Sequence, residues 1–244
     1  MLYSSFRRAA LLAAVTFCTS LQAESRFTES FDSPSGDLPT GWLLVSAIKT
    51  GGGACIAPFP GETGMNSLLL QRPAGAKPEN AVVWYTGTPD GVADGKLRNF
   101  SGSVILRQNK GPQSTRGVVI RAGNQEYSHF EGYYIALVSE KGNEGLGIYK
   151  NPPDHLLPGE ELAFTPLAEN FHPDRTYLLR FSARGGVIEA SLSTVDTLDR
   201  EVKHLATVTA EGVAEEAGFF GFRSGYANSG PISTWFRSLN LEIE

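Results

Sequence analysis

Apolar and polar residues alternate in short runs along most of this chain, and turn-forming residues separate the runs. The clearest example covers residues 116–150, where runs rich in Val, Ile, Leu and Tyr occupy Gly117–Ala122, Gly132–Val138 and Gly145–Lys150. Gly, Asn, Ser and Glu fill the breaks, which is the chemistry of strands joined by turns. A meander of this kind must bury one face, so the pattern predicts the middle of a sheet that a second sheet covers.

Shorter runs of the same type recur on both sides of the meander. They predict strands at Phe27–Asp32, Trp42–Ile48, Ser67–Gln71, Ala81–Thr86, Asn99–Gln108, Thr176–Ala183, Val187–Ser193, Leu205–Ala210, Ala217–Ser224 and Thr234–Ile243. The Arg-Gly-Gly sequence at 184–186 predicts a hairpin turn. Loops are predicted at Gly51–Gly53, which lacks the Lys-Ser/Thr of a phosphate-binding loop, and at the proline-rich Asn151–Asn170. No run fits a helix of more than a turn or two, so the predicted fold class is all-β, an antiparallel sandwich of two sheets.

The first 23 residues have the pattern of a targeting segment. Arg7 and Arg8 precede an apolar run, Ala9–Phe17, and the segment ends at Ala23, a small residue of the kind that a signal peptidase requires. The run is too short for a membrane-spanning helix, which needs about 20 residues. We therefore expect a signal peptide at residues 1–23, a secreted or periplasmic protein, and a single domain at residues 24–244.

Charge and cysteine content narrow the possible partners. The chain has 21 Lys and Arg against 26 Asp and Glu, a formal net charge of −5, and no run of basic residues. This acidic balance argues against nucleic acid or an anionic membrane as the partner. Cleavage after Ala23 would leave Cys55 as the remaining cysteine, which rules out an intramolecular disulfide and is more typical of a small buried apolar residue than of a reactive thiol.

Arginines at or near the ends of apolar strands are the first candidate binding residues: Arg107, Arg121, Arg180 and Arg223. If Val118 and Ile120 point into the core, strand alternation places Arg121 on the outer, concave face of its sheet. Four arginines on one sheet can bind carboxylated or sulfated sugars through bidentate hydrogen bonds. The alternative is that each arginine pairs with a nearby glutamate as an ordinary surface charge.

Aromatic side chains and a neighbouring amide are the second candidate set, because tyrosine offers a sugar both an apolar ring face and a polar group. Tyr127 lies in the polar segment NQEYSHF, and Tyr226 and Asn228 lie in SGYANSGP, where burial is less expected than within a strand. Tyr133, in the central meander, is a further candidate for substrate binding. The alternative for each tyrosine is a place in the core, where most aromatic residues of a sandwich lie.

One segment carries groups suited to acid–base chemistry. Glu126, His129 and Glu131 fall in the predicted loop between two central strands, and a histidine beside two carboxylates can act as a general base. Short polar loops often contain such residues with no catalytic role. The other histidines lack metal-ligand spacing, and the chain has no Gly-x-Ser-x-Gly or Cys-x-x-Cys motif, so serine-hydrolase and zinc sites are not indicated.

Several segments, taken in order, carry a family resemblance. They are FTESFD at 27–32 followed by Gly41-Trp42, GVVIR at 117–121, GYYIAL at 132–137, TYLLRF at 176–181, GFFGFR at 218–223 and LNLEI at 239–243. Together they resemble the concanavalin A-like lectin/glucanase superfamily, especially its laminin-G-like branch. The resemblance implies a jelly roll of two curved sheets, with glycan sites on the concave face or its rim loops. It also implies that Phe27–Asp32 pairs with Leu239–Ile243, which requires Glu29 to lie at the rim of the core.

The functional motifs of that superfamily are missing. No strand carries the Glu-x-Asp-x-Glu pattern of the glucanases, and the motif set of the polysaccharide lyases does not occur. Related modules often bind calcium between their first and last strands. Asp32 fits the first-strand ligand of such a site, but the terminal strand has Arg237 where an acid is usual. A structural Ca²⁺ ion at Asp32 is the metal site that the resemblance implies.

These observations predict a secreted or periplasmic β-sandwich protein that binds a glycan or polysaccharide and requires no cofactor. A glycoside hydrolase or polysaccharide lyase of the same fold is the first alternative. An adhesion or structural module that binds another protein is the second.

Overall fold

The computed structural model describes residues 25–46, 53–72, 81–89, 92–109, 114–125, 130–140, 143–150, 159–173, 175–226 and 231–244. Within them lie fifteen strands: β1 (Ser25–Glu29), β2 (Trp42–Ser46), β3 (Gly53–Pro58), β4 (Asn66–Arg72), β5 (Ala81–Tyr85), β6 (Phe100–Gln108), β7 (Ser114–Ala122), β8 (Tyr133–Glu140), β9 (Asn143–Lys150), β10 (Glu160–Pro166), β11 (Thr176–Arg184), β12 (Val187–Val195), β13 (Glu201–Glu211), β14 (Phe219–Tyr226) and β15 (Ile232–Ile243). Ala93–Gly95 is a short 3-10 turn. No helix in these ranges is long and apolar enough to cross a membrane.

The strands form two antiparallel sheets that pack face to face. One, which we call the terminal sheet, has the order β13-β12-β11-β6-β15-β4-β3, and β1 pairs with the end of β15. The other, the meander sheet, has the order β10-β9-β8-β7-β14-β5-β2. The predicted meander, β7 to β9, lies within this second sheet, and β11 and β12 form the predicted hairpin. The all-β, two-sheet sandwich expected from the sequence is therefore confirmed.

The first and last strands pair as expected, with Glu29 opposite Leu239. β1 ends at Glu29 and does not continue to Asp32, because Phe31 takes a left-handed backbone conformation (φ 59°) that a regular strand does not contain. The Glu29 carboxylate stands at the rim of the core. Its Oε1 accepts a hydrogen bond from the Phe31 amide at 2.9 Å, and its Oε2 accepts one from Trp42 Nε1 at 3.2 Å.

Aromatic side chains fill the space between the sheets. Phe222 of β14 stacks on Trp42 with ring centroids 5.4 Å apart, and it contacts Phe236 of β15 at 4.6 Å and Phe31 at 6.0 Å. All four side chains are buried. Because burial of each large apolar side chain stabilises the fold by roughly 1.5–3 kcal/mol, this cluster holds the two sheets together.

A second apolar layer lies on the outer face of the meander sheet. Trp84, Val119 and Tyr134 belong to this layer and are fully buried, and Phe130 packs edge-on against Trp84 at 5.4 Å. All five residues of β5, AVVWY, are buried because both faces of the strand are covered. The terminal sheet differs, since much of its outer face is polar and half-exposed or exposed.

Two segments predicted as loops contain strands. β3 begins at the last glycine of Gly51–Gly53 and pairs with β4. β10 lies within the predicted loop Asn151–Asn170 and pairs with β9. Both are edge strands with largely half-exposed or exposed residues, so their sequences lack the apolar alternation that marks a strand.

Cys55 lies in β3 opposite Leu69 and is half-buried. Burial raises the pKa of its thiol, which lowers the fraction of reactive thiolate at neutral pH. This environment agrees with the predicted role of Cys55 as a small packing residue.

Candidate functional site

A cleft of about 550 Å³ opens on the outer face of the terminal sheet. It crosses the adjacent strands β15, β6, β11, β12 and β13. The lining consists of Ser101, Gly102, Ser103, Arg180, Phe181, Ser182, Glu189, Ala190, Ser191, Thr207, Asn240 and Glu242. The polar residues alternate along their strands with residues that point into the core. The cleft is therefore built by the solvent face of a rigid sheet.

Strand register arranges the polar lining in two rows across the sheet. The first, which we call the arginine row, contains in order Asn240, Ser103, Arg180, Ser191 and Thr207. The second, the glutamate row, lies two residues further along and contains Glu242, Ser101, Ser182 and Glu189. The cleft forms because short serine side chains lie between longer ones in both rows, singly in the first row and as the pair Ser101 and Ser182 in the second. A cluster of Phe59, Ile105 and Leu178 borders the arginine row on the side away from the glutamate row.

Arg180 lies at the centre of the arginine row, and one neighbour holds it in place. Its guanidinium forms an ion pair with the Glu201 carboxylate, which also accepts a hydrogen bond from Ser193 Oγ at 2.6 Å. Two hydrogen bonds hold the pKa of Glu201 below its ordinary value, the larger effect coming from the Ser193 hydroxyl and the smaller from the Arg180 guanidinium. The Arg180 side chain is 50% exposed, so a ligand in the cleft can still reach the free edge of the guanidinium.

The two carboxylates of the glutamate row differ in their surroundings. Glu242 pairs with Arg26 of β1, with 2.8 Å between Oε1 and Nη2. Glu189 is exposed, lies opposite Ser182 and Thr209, and makes no ion pair with any residue in the described ranges. One end of the row therefore has a neutralised carboxylate and the other an unneutralised one.

The lining can bind a ligand that has many hydroxyl groups. Serine and threonine hydroxyls donate and accept, the Asn240 amide does both, carboxylates accept and the guanidinium donates. The backbones of Glu189 and Glu242 lie three strand spacings apart, about 14 Å, and Arg26 of β1 holds the Glu242 carboxylate on the side of β15 away from Glu189. Paired catalytic carboxyl groups of glycoside hydrolases lie about 5–9.5 Å apart, so this arrangement suits binding better than acid–base hydrolysis.

The structure separates the four arginines predicted as a binding set, and Arg180 is the one that lines the cleft. Arg107 is half-buried and donates from Nη1 to the Pro60 carbonyl oxygen at 2.8 Å. Arg223 is fully buried on the other sheet, where its guanidinium lies 4.7 Å from the Tyr134 ring centroid. The prediction of one arginine cluster on a single sheet is therefore wrong.

The prediction that Arg121 stands on an outer, concave surface is also wrong. Arg121 has a left-handed backbone (φ 49°), and the register between β7 and β14 shifts at this point. The alternation of β7 fails there, and the side chain is buried. It donates to the carbonyl oxygens of Arg98 at 2.7 and 3.0 Å, Gly185 at 2.9 Å and Ala214 at 2.8 Å. Arg121 therefore connects backbone segments instead of facing solvent.

The remaining candidates lie away from the cleft or outside the described residues. Tyr133 is buried in the core, where its hydroxyl accepts a hydrogen bond from the Ala214 amide at 2.7 Å. Glu131 is exposed beside the meander sheet, and Tyr226 ends β14 opposite Ser114. The candidates outside the described residues are Glu126, Tyr127, His129 and Asn228. Their predicted roles, like those of Glu131 and Tyr226, stay predictions.

The residues near the predicted calcium position do not fit a metal site. Asp32 is exposed, and the described part of the chain holds no cluster of three or more His, Cys, Asp or Glu that could bind an ion. Arg237 of the terminal strand pairs with two carboxylates from elsewhere in the chain. Its Nη1 and Nη2 donate to the Asp199 carboxylate at 2.5 and 2.6 Å, and Nη2 donates to Glu62 at 2.9 Å.

Sequence reasoning missed most of the cleft. Apart from Arg180, its polar residues are serines, a threonine, an asparagine and two glutamates on ordinary half-exposed strands. The available signal was period-two alternation, as in β6, where Ser101 and Ser103 alternate with core residues. That signal gives the face of each side chain, but the rows depend on which strands are neighbours and in what register.

No protein-family model matches the chain, and no curated protein matches its sequence. Solved structures do match. Carbohydrate-binding module CBM66 from Bacillus subtilis has a TM-score of 0.53 at 12% identity, over 86% of this chain and 99% of that chain. Peanut lectin with a nonapeptide has 0.56 at 10%, over 91% and 98%. The exoplasmic/lumenal domain of VIP36, bound to Ca²⁺ and Man3GlcNAc, has 0.54 at 12%, over 85% of each chain.

These similarities show the fold. The chain adopts the concanavalin A-like jelly roll of lectins that the sequence resemblance implied.

Proposed function

We propose that this protein is a carbohydrate-binding module and that the cleft of the terminal sheet is its binding site. The observation that carries the proposal is the pair of polar rows, which presents hydroxyl, amide, guanidinium and carboxylate groups to one open cleft. Sugar hydroxyls both donate and accept hydrogen bonds, so they match this mixed lining. The carbohydrate-binding module and the lectins among the structural neighbours support the same reading by analogy of fold.

Preorganisation also supports a binding role. The row residues lie on strands whose alternate side chains belong to the core, so their backbone is already fixed before a ligand binds. Binding therefore costs little backbone conformational entropy. Glu201 restrains Arg180, and Arg26 restrains Glu242 in the same way. A binding module is favoured over a hydrolase by the wide spacing of Glu189 and Glu242. It is favoured over a protein-binding module by the polar lining, since the centre of a protein interface is mostly apolar.

Affinity electrophoresis tests the proposal. The protein is run in native gels that contain laminarin, mannan, galactomannan or dextran, alongside a Ser103→Trp variant whose indole fills the middle of the cleft. The control, Ser35→Trp, changes an exposed residue outside the cleft. We expect at least one polysaccharide to retard the native protein and the control but not Ser103→Trp. Equal retardation of all three proteins would contradict the cleft as the site.

We also propose that the chain is exported and processed. The basic, apolar and small-residue order of residues 1–23 supports cleavage after Ala23. Expression of the full chain in a bacterium, followed by fractionation and mass spectrometry, tests this. We expect a periplasmic or extracellular product that begins at Glu24. An uncleaved protein in the cytosol would contradict export.

A further inference from the structure

We infer that the cleft selects neutral glycans against carboxylated or sulfated ones, and that Glu189 determines this selectivity. The inference rests on the proposed function. It adds the chemical class of the ligand and the residue that determines the selectivity. Four observations carry it: the pairing of Arg180, the pairing of Arg26, the unneutralised charge of Glu189 and the positions of the other candidate arginines.

The cations nearest the cleft are already paired. Arg180 binds the Glu201 carboxylate, and Arg26 binds Glu242 at 2.8 Å. An anionic sugar would have to compete with Glu201 for the Arg180 guanidinium, and Glu201 keeps its charge because its pKa lies below the ordinary value. A neutral sugar needs no such exchange, since it can accept a hydrogen bond from the free edge of Arg180.

Glu189 carries the unneutralised charge of the cleft. It is exposed, lies between Ser182 and Thr209 in register, and has no ion pair within the described residues. An ionised carboxylate accepts hydrogen bonds but donates none, so it binds the hydroxyls of adjacent sugar carbons and repels a sugar carboxylate or sulfate. Glu189 lies at one end of the glutamate row, beside the serines that line the middle of the cleft. Its carboxylate can therefore attract or repel a sugar bound there.

The arginines that could have reversed this preference do not line the cleft. Arg121 is occupied by three backbone carbonyl oxygens, and Arg223 is buried on the other sheet. Arg107 donates to Pro60 beside the apolar cluster. The expectation that arginines on one sheet bind acidic sugars therefore gives way to a cleft whose unpaired charge is negative.

The test compares neutral and acidic polysaccharides by affinity electrophoresis and quantitative binding. Laminarin, mannan and dextran are the neutral probes, and alginate, polygalacturonate and dextran sulfate are the acidic ones. Measurements are made at about 0.15 M salt, where the Debye length is about 8 Å and long-range repulsion is screened. The variants are Glu189→Gln and Glu189→Lys. Glu160→Gln and Glu160→Lys are matched controls, because Glu160 is exposed on β10 of the meander sheet, outside the cleft, and undergoes the same charge change.

We expect the native protein to bind a neutral probe and none of the acidic ones. Loss of a hydrogen bond to a charged group should weaken neutral binding by about tenfold or more in Glu189→Gln. Glu189→Lys should gain binding to an acidic probe, and both Glu160 variants should behave as the native protein. Binding of an acidic probe by the native protein, or unchanged neutral binding in Glu189→Gln, would overturn the inference.

The Ser103→Trp variant distinguishes an error in the proposed binding site from an error in the inferred selectivity. If it abolishes all glycan binding but acidic probes bind the native protein, the cleft is the site and the inferred selectivity is wrong. If it leaves binding unchanged, the proposed site is wrong and the inference fails with it.

Discussion

Arg121 donates a hydrogen bond from Nη1 to the carbonyl oxygen of Gly185 at 2.9 Å, which links the meander sheet to the β11–β12 hairpin of the terminal sheet. The same nitrogen reaches the Ala214 carbonyl, and Nε and Nη2 reach that of Arg98. One guanidinium thus satisfies partly buried acceptors from three segments of the chain. These bonds account for the left-handed backbone at Arg121, which turns the side chain away from the outer face.

Replacement of Arg121 by Met should destabilise the protein. Hydrogen bonds to charged groups contribute more than neutral ones, and the freed carbonyl oxygens would be left without donors, so we expect a loss of about 2–4 kcal/mol in the free energy of unfolding. Denaturant unfolding measures this directly. Arg98→Met is the control, because the Arg98 side chain is exposed and only its backbone takes part. Similar stability of the two variants would contradict a linking role for Arg121.

The Arg237 network predicts strong coupling between charges. Arg237 is 3% exposed, and its removal would leave the Glu62 and Asp199 carboxylates without their cation. We expect Arg237→Met to cost about 2–4 kcal/mol, and the cost to fall when Glu62→Gln and Asp199→Asn are added. Arg184→Met, which removes an exposed pair with Glu244, should cost less than about 1 kcal/mol. If Arg237→Met were as stable as Arg184→Met, the predicted stabilising role of the Arg237 network would be contradicted.

The raised pKa of Tyr134 predicts that the protein loses stability at alkaline pH. Burial raises its pKa from 10.0 to about 12, because the neutral phenol is favoured in the apolar layer. Its contribution is fully present below the unfolded pKa and is lost as pH rises from about 10 through 12. Two pKa units correspond to roughly 2–3 kcal/mol. Thermal unfolding from pH 8 to 11.5 should therefore show a steeper loss for the native protein than for Tyr134→Phe. Parallel curves would contradict this assignment.

The pairing of the first strand, β1, with the last strand, β15, predicts the effect of truncation. Deletion of residues 239–244 would remove the part of β15 that pairs with β1 and would expose several apolar groups, each worth roughly 1.5–3 kcal/mol when buried. Total stability of a domain is about 5–15 kcal/mol, so we expect the truncated protein to unfold or aggregate. Size-exclusion chromatography and thermal unfolding check this. A monomer with an unchanged melting temperature would show that the closure is dispensable.

Much of the fold could be predicted because it depends on local pattern. Alternation marked β1, β6, β11 and β12, and the Arg-Gly-Gly turn marked the hairpin. β3 and β10 were missed because edge strands need little apolar alternation. The all-buried β5 could be recognised as a strand, but its sequence does not show that both its faces are covered.

The site could be predicted only in part, because it depends on relations between distant strands. Arg180 was found from its place at the end of an apolar strand, but its neighbours Ser103 and Ser191 are unremarkable in sequence and become a row only through register. The position of Arg121 was mispredicted because a single left-handed residue reverses alternation. No sequence period records such a reversal.

Removal of divalent cations tests whether a metal contributes to the proposed binding step. The cleft lining offers hydroxyl, amide, guanidinium and carboxylate groups for hydrogen bonds to a sugar, and Arg237 pairs with Glu62 and Asp199. We expect EDTA to leave binding of a neutral polysaccharide unchanged. A loss of binding that calcium restores would show that a metal site contributes.

The most direct test of the central claim is a nuclear magnetic resonance titration of the ¹⁵N-labelled protein with a neutral oligosaccharide that it binds. If the cleft is the site, amide shifts should cluster in the arginine and glutamate rows, at Ser101, Ser103, Arg180, Ser191 and Asn240. Shifts that instead cluster around Gly123–Gln125 and Glu131, beside the meander sheet, with the rows unchanged, would contradict it.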